Sequence, residues 1–304
     1  MKVIVIGNCS IDLSFSVPRL PRPGETLLAR QRSLDLGGKG ANQAVVAARF
    51  GAETILAAPI GRDADGDKAC ARLAAEGLCL AVKRTDTPTD QSIILVAPDG
   101  QNCIVSSQEA ACRADPEWAE GVLREAARRG DLLLMQGNLP LRTTLVALRL
   151  ARRLGMLTLL NPAPIQCEYD QLLPLADIVI VNEIEARELG GHADPFDAGR
   201  AIHERAASRV IVTLGARGAA LIEDELMRAP APVVDAIDTV GAGDTLVGAF
   251  AAALAGGRDS SASLRIAVDA ASLAVTRRGT QSSFPTASEA ANILARHSAD
   301  RRKG

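Results

Sequence analysis

The segment Asp238-Thr239-Val240-Gly241-Ala242-Gly243-Asp244 combines small residues and two carboxylates just ahead of an apolar helical run, Thr245–Ala255, that stops at Gly256-Gly257. Small residues at a helix start leave several backbone N–H groups unpaired and pointing outward. Those donors and the helix dipole make an anion site suited to a transferring phosphoryl group. An ionised Asp244 beside such a cradle can accept the proton of an attacking hydroxyl. Taken alone, the segment reads equally well as a capping Asp with glycines that turn the chain.

Three further clusters carry polar chemistry. Gly37-Gly38-Lys39-Gly40-Ala41-Asn42 lacks the spacing and the Ser/Thr of a Walker A loop, and lacks the third glycine of the dinucleotide fingerprint. Its glycines let backbone approach a ligand, and Lys39 and Asn42 can reach hydroxyls; a tight turn into a helix explains it too. Asn182-Glu183-Ile184-Glu185 offers oxygens that could organise a hydrated Mg²⁺, or a helix N-cap with a dipole-compensating Glu. Thr213-Leu214-Gly215-Ala216-Arg217-Gly218 resembles a turn on which an adenine nucleotide lies against backbone.

The elements that must position these clusters alternate. Runs at Val3–Ile6, Thr54–Ala58, Leu132–Gln136, Thr158–Leu160, Ile178–Val181 and Val210–Leu214 are apolar on both faces and read as central parallel strands. Between them, Ala41–Phe50, Asp67–Glu76, Trp118–Arg129, Leu141–Leu154 and Ala198–Ala207 read as helices, several ending at Gly51, Gly77, Gly130 or Gly155. The alternation implies βαβ units and a doubly wound α/β sheet, in which ligands bind beyond the strand C-termini. Those ends are polar or glycine-rich: Gly7-Asn8, Gln136-Gly137-Asn138, Asn161-Pro162, Asn182-Glu183 and Leu214-Gly215. Two β-rich insertions interrupt the pattern, at about 12–35 and 90–107, the second a hairpin around Pro98-Asp99-Gly100-Gln101. Together they read as one small sheet forming a lid, with a pair of surface hairpins as the alternative. The expected organisation is one domain over 1–304.

Composition removes other classes. A net charge of −2 marks no nucleic-acid binder, and aromatics at 2% provide no stacking platform. Arg128-Arg129, Arg152-Arg153 and Arg277-Arg278 read mostly as solvated helix ends. Cys9, Cys70, Cys79, Cys103, Cys112 and Cys167 are scattered without zinc spacing, as in a cytoplasmic protein with reduced thiols. The apolar run after Met1 is too short for a signal core or a membrane span.

In order along nearly the whole chain, the clusters resemble the ribokinase family, also called the PfkB carbohydrate kinases. Gly37-Gly38-Lys39-Gly40-Ala41-Asn42-Gln43-Ala44 is similar to its first signature and Asp238 through Asp244 to its second. The resemblance implies a three-layer α/β domain with a β-sheet lid, often dimerised through that lid. It implies ATP-dependent phosphorylation of a primary hydroxyl on a pentose or related polyol. Asp244 would be the base and Gly241, Ala242 and Gly243 the anion hole. Ser10, Asp12, Gly38, Lys39, Asn42 and Asn138 match sugar-side positions. Asn182, Thr213, Gly215 and Gly218 match nucleotide-side positions, and Glu185 the Mg²⁺-organising Glu. Asp238, Val240, Ala274, Arg277, Gly279 and Ser283 match a monovalent-cation (K⁺) loop, several of them through backbone carbonyls.

Three departures from true ribokinases stand out: Ser10 replaces an Asn, Asn138 replaces a Glu, and the stretch Glu109-Ala110-Ala111 replaces a Gly-Ala-Asn stretch. The resemblance therefore speaks for the reaction more than for ribose. A nucleoside or sugar-phosphate kinase of the same family is the alternative; Phe15 is the lone lid aromatic, and Arg19, Arg30 or Arg32 could meet a phosphate. A non-catalytic sugar-binding regulator would be expected to have lost Asp244 or its glycines.

Overall fold

The computed structural model describes residues 1–98, 101–167, 169–205 and 209–299. The chain begins with β1 (Val3–Ile6), β2 (Ser10–Ser16), β3 (Gln31–Gly37), α1 (Lys39–Arg49), β4 (Thr54–Ala57), β5 (Pro59–Gly61) and α2 (Ala64–Ala75). Next come β6 (Cys79–Leu80), β7 (Lys83–Thr85), β8 (Asp90–Val96), β9 (Asn102–Ser106) and α3 (Pro116–Ala126). The middle of the chain runs β10 (Leu132–Gln136), α4 (Leu141–Arg153), β11 (Leu157–Asn161), β12 (Ile178–Asn182), α5 (Glu183–Gly190) and α6 (Pro195–Arg205). It closes with β13 (Arg209–Thr213), β14 (Ala219–Ile222), β15 (Leu226–Ala229), α7 (Ala242–Ala255), α8 (Ser260–Ala274) and α9 (Ala287–Ala299).

Nine strands form the central sheet in the order β15-β14-β13-β12-β11-β10-β1-β4-β6. From β13 to β6 every pairing is parallel; β14 and β15 add an antiparallel edge. β1 is buried along its whole length because helices cover both faces. Val3 and Val5 enter one apolar cluster with Phe50 and Phe250, and Ile4 and Ile6 enter the other with Leu123 and Leu148. These are the two seams of a three-layer α/β sandwich. Phe250 has no exposed surface, and its truncation to Ala would cost about 3–5 kcal/mol.

The helix α7 is buried over every residue from Asp244 to Ala253. Its Gly248 lets α1 come close: a β-carbon there would stand 2.6 Å from the Gln43 carbonyl oxygen. That contact sets the α1 side chains Asn42 and Gln43 beside the start of α7.

A separate four-stranded sheet has the order β3-β2-β8-β9. The β2–β3 and β8–β9 pairs are antiparallel, and they join through a parallel β2–β8 pairing, Ser10 opposite Asp90. The Ala97 N–H donates to the Gln101 carbonyl at 2.9 Å and closes the β8–β9 turn, of which Asp99 and Gly100 lie outside the described residues.

Several sequence expectations shift. The last helix of the chain's second signature starts at Ala242 rather than Thr245, so Asp244 sits inside its first turn. The helix expected to reach Arg129 ends at Ala126, and Gly130 belongs to the following turn, where its N–H reaches the Gly155 carbonyl. Gly51, Gly77 and Gly155 do follow helix ends, with φ of 84°, 80° and 71°. The run expected to end at Ala207 is helical to Arg205; Ala206 and Ala207 lie outside the described residues. Arg277 is no solvated helix end, because its guanidinium forks onto Glu289 and pulls that carboxyl down to about 2.

Candidate active site

The first turn of α7 is an anion cradle by construction. Gly241 precedes it with φ 78°, a left-handed conformation that glycine adopts without strain, and no side chain caps the helix. Among the described residues, the Gly243 and Asp244 N–H groups have no partner. Open space lies over Gly243: a β-carbon there would meet nothing within 4 Å. Ala242 is bonded only weakly backwards, its N–H 3.3 Å from the Thr239 carbonyl.

Asp244 is 6% exposed, and both of its oxygens are held. Asn42 Nδ2 donates to Oδ2 at 2.9 Å, and Gln43 Nε2 donates to Oδ1 at 2.9 Å. Lys39 Nζ stands 3.8 Å from Oδ1. These three residues reach Asp244 because α1 starts directly behind the glycine turn, where the Ala41 N–H bonds the Asn8 carbonyl and the Gly40 N–H bonds Asn8 Oδ1. Gly38 has φ 87°, and a β-carbon on it would come within 2.7 Å of the Cys9 backbone. The glycines of this turn therefore thread α1 under the end of β1.

Asp12 lies on the site-facing side of β2. Ser10 Oγ donates to its Oδ1 and Thr280 Oγ1 to its Oδ2, each at 3.2 Å. Burial pushes the Asp12 carboxyl above the usual carboxylate range, and these hydroxyls pull it back. Asn138, just past β10, has a buried Oδ1 with no partner among the described residues. Such a buried acceptor invites a donor from a ligand.

The 280–282 turn was missed as a functional element in the sequence. Thr280 reaches Asp12, Gln281 Nε2 donates to Asn42 Oδ1 at 3.1 Å, and the Ser282 N–H donates to Asp35 Oδ2 at 3.1 Å. Asp35 also takes a bond from Arg72 of α2 at 2.8 Å. No local pattern announced these contacts, since each partner lies more than two hundred residues away.

At the end of β12, Asn182 Oδ1 caps α5 by accepting the Ile184 and Glu185 N–H groups, while Glu185 Oε2 accepts the Asn182 N–H. The N-cap reading of this stretch is what the geometry shows, and the capping-box Glu also sits within electrostatic reach of the cradle. Burial pushes the Glu185 carboxyl up; Lys39 pulls it down and Asp244 pushes it up. A divalent cation supplies the counter-charge that restores such a carboxylate, so the residue fits a Mg²⁺-organising role.

Thr213 ends β13, and Gly215 and Gly218 bracket a single 3₁₀ turn there, with φ of 57° and 91°. Glu183 of α5 pairs with Arg217 of that turn at 2.8 Å, so the two nucleotide-side candidates are neighbours. Asp238 staples the remaining loops: its Oδ1 accepts the Val240 N–H at 3.0 Å and its Oδ2 the Gly279 N–H at 3.1 Å. The Asp238 N–H bonds the Val275 carbonyl, beside Ala274, and Ser283 Oγ, fully buried, donates to the Thr280 carbonyl at 2.7 Å. The six residues expected around a monovalent cation thus lie on the 238–240 loop, at the last residue of α8 and on the loop that follows it. Ala274 and Ser283 are buried and Val240, Arg277 and Gly279 half-buried, so their backbone carbonyls beside the Asp238 carboxylate suit such a cation. The Arg277 side chain, engaged by Glu289, has only its backbone to offer.

A helix-start anion cradle, a buried carboxylate at its mouth and a small sheet over a doubly wound core define a phosphotransferase-type α/β protein. The chain belongs to the pfkB family of carbohydrate kinases, whose pattern matches residues 1–287. It is 37% identical over 301 residues to the ribokinase of Haemophilus influenzae, covering 95% of this chain and 97% of that one. It is 32% identical over 295 residues to the deoxyribokinase of Salmonella typhi, covering 94% of this chain and 96% of that one. Among solved structures, the ribokinase of Thermotoga maritima superposes with a TM-score of 0.86 at 30% identity, over 97% of this chain and 99% of that one. The Arabidopsis thaliana ribokinase complexed with ribose and ATP gives 0.82 at 27% identity, over 96% and 98%.

Proposed function

We propose that this protein transfers the γ-phosphoryl group of ATP to a primary hydroxyl of ribose or a closely related pentose, with Asp244 as general base. The observation that carries the reading is the placement of the Asp244 carboxylate, which is buried and held by two amides at the mouth of an uncapped, open helix start. The sugar hydroxyl gives its proton to Asp244 as its oxygen attacks the γ-phosphorus. The bond to the β,γ-bridging oxygen breaks, and the products are the sugar phosphate and ADP. The Gly243 and Asp244 N–H groups, with Gly241 and Ala242 shaping the turn, face the charge that builds on the phosphoryl oxygens. A Mg²⁺ organised through Glu185 would neutralise the phosphate chain, and a K⁺ in the Asp238–Ser283 loops would support the cradle from behind.

On the sugar side, Asp12, Asn42, Lys39 and the free oxygen of Asn138 are the hydroxyl partners, with Ser10 acting through Asp12 and Gly38 admitting the backbone. On the nucleotide side, Asn182, Thr213, Gly215 and Gly218 border the adenosine. The small sheet built from the 12–35 and 90–107 insertions closes over the sugar and excludes water, within one domain spanning 1–304. Its outward face suits a homodimer: Leu34, Leu13, Ile93 and Val105 fall in one cross-strand row, and Leu34, Ile93 and Val105 are 48%, 47% and 66% exposed. Among the described residues no helix is long and apolar enough to cross a membrane and no cysteine forms a disulfide; the cytoplasm is the compartment we assign.

The test is ADP release from a panel of ribose, deoxyribose, fructose 6-phosphate and adenosine, together with the Asp244→Asn variant. Ribose or deoxyribose should lead, and Asp244→Asn should lose at least ~100-fold in kcat while keeping its fold. Near-normal turnover in that variant would end the assignment of the base; adenosine or fructose 6-phosphate leading the panel would end the assignment of the sugar.

A further inference from the structure

Gln43 has no exposed surface and lies in the first half of α1, a poor place for an amide with nothing to do. Its side chain makes three bonds. Nε2 donates to Asp244 Oδ1 at 2.9 Å and to Asn161 Oδ1 at 3.0 Å, and Oε1 accepts from Gln136 Nε2 at 2.8 Å. Asn161 in turn donates through Nδ2 to the Ile180 carbonyl at 2.9 Å.

The polarity of this chain is forced. A backbone carbonyl can only accept, so Asn161 must turn its NH₂ to Ile180 and its oxygen to Gln43. Gln43 must then turn its NH₂ toward Asn161, and the second hydrogen of that NH₂ points at Asp244. The Gln136 amide seats the remaining oxygen. A strand carbonyl in β12 thus dictates, through β11 and α1, that a donor faces the carboxylate at the start of α7.

We infer that Gln43 is the positioning residue of the base: it fixes the rotamer of Asp244 and keeps a donor on Oδ1, while Asn161 and Gln136 hold Gln43. This rests on the kinase reading above and adds a division of labour to it. Asn42 holds the other oxygen but is also a sugar contact, so its loss should disturb binding. Gln43 sits behind the carboxylate and touches no proposed ligand, so its loss should disturb turnover alone.

The experiment compares Gln43→Met, Asn42→Ala and Asp244→Asn in the full-length enzyme, measuring kcat, both KM values, thermal unfolding and sugar affinity by calorimetry. Gln43→Met should lower kcat roughly 10- to 100-fold, as expected for losing a hydrogen bond to a charged group. Its KM for sugar and for ATP should stay within roughly threefold of wild type. Asn42→Ala should instead raise the sugar KM. Because Gln43→Met strands the Gln136 amide, the paired variant Gln43→Met/Gln136→Met supplies a second test in which that amide is removed as well, and it should show the same loss of kcat. Asn161→Leu should lower kcat in the wild-type background and add little in the Gln43→Met background, since it acts through Gln43. A wild-type kcat in a folded Gln43→Met or paired variant overturns the inference and leaves the base intact. So does a loss shared between kcat and sugar affinity in both variants, which marks a packing role only. Full turnover in Asp244→Asn takes both readings down together.

Discussion

Thr280 Oγ1 donates to Asp12 Oδ2 at 3.2 Å, joining the loop after α8 to the first strand of the small sheet. Ser10 Oγ holds the other oxygen at the same distance. The carboxylate that should read the sugar is therefore clamped from two ends of the chain.

That clamp makes sugar binding pH-dependent in a defined direction. Burial is the largest influence on Asp12 and raises its carboxyl; the Ser10, Thr280 and Ser92 hydroxyls lower it. A carboxyl raised on folding favours the fold below its unfolded value, and that contribution is lost as pH rises through the folded value. Sugar hydroxyls that donate to Asp12 favour its ionised form. Sugar binding should then release protons at pH values above the ordinary carboxylate range and tighten as pH rises toward neutrality. Calorimetry in two buffers of different ionisation enthalpy reads the proton release, and Asp12→Asn should abolish it. A pH-independent affinity in the wild type would contradict the role given to Asp12.

Two glycines of one motif should fail in opposite ways. A β-carbon on Gly241 would sit at φ 78° and 2.6 Å from the Phe284 ring, so Gly241→Ala should cost about 1–3 kcal/mol of stability. Gly243 has open space above it, so Gly243→Val should leave thermal unfolding nearly unchanged and reduce kcat/KM for ATP at least ~10-fold by filling the cradle. Equal effects on stability would show that the motif is only a turn.

The Asp238 staple should connect cation response to turnover. Potassium added to enzyme prepared without monovalent cations should raise kcat, and Asp238→Ala, which frees Val240 and Gly279, should remove that response. Arg277→Met should keep it, because its guanidinium belongs to Glu289. Identical activation of wild type and Asp238→Ala would move the cation elsewhere.

The outward row of the small sheet should be an interface. Val105→Asp puts a charge into the most exposed member of that row and should convert a dimer to a monomer in sedimentation velocity. A wild type that sediments as a monomer at micromolar concentration would remove this assignment.

The central strands were legible because residues such as Val3–Ile6 and Leu132–Gln136 are apolar on both faces, a pattern few other elements share. The cradle was legible for a related reason: glycine and alanine at a helix start have few other uses. Other parts were silent. Helix α8 carries its own signal, Asp259 capping the Ala262 N–H at 2.7 Å, yet its small residues hide its periodicity. The antiparallel edge β14–β15 is built from Ala219-Ala220-Leu221-Ile222 and Leu226-Met227-Arg228-Ala229, mostly residue types that favour helix as readily as strand. Gln43, Gln136, Asn161 and Gln281 look like ordinary polar residues in the sequence. Their roles exist only once α1, β10, β11 and the 280–282 turn are folded against one another.

The parallel pairing of β2 with β8 has a consequence for how the molecule assembles. Those strands cannot zip from a tight turn, since β3, α1, β4 and α2 lie between them and the pairing of Ser10 with Asp90 carries the closure cost of that long segment. The β8–β9 hairpin is local and fast, while its docking onto β2 waits for the core. Neither insertion therefore amounts to a detachable module. The roof over the sugar is a late readout of a correctly built floor, and a chain with a misfolded core should lack a place to bind its substrate.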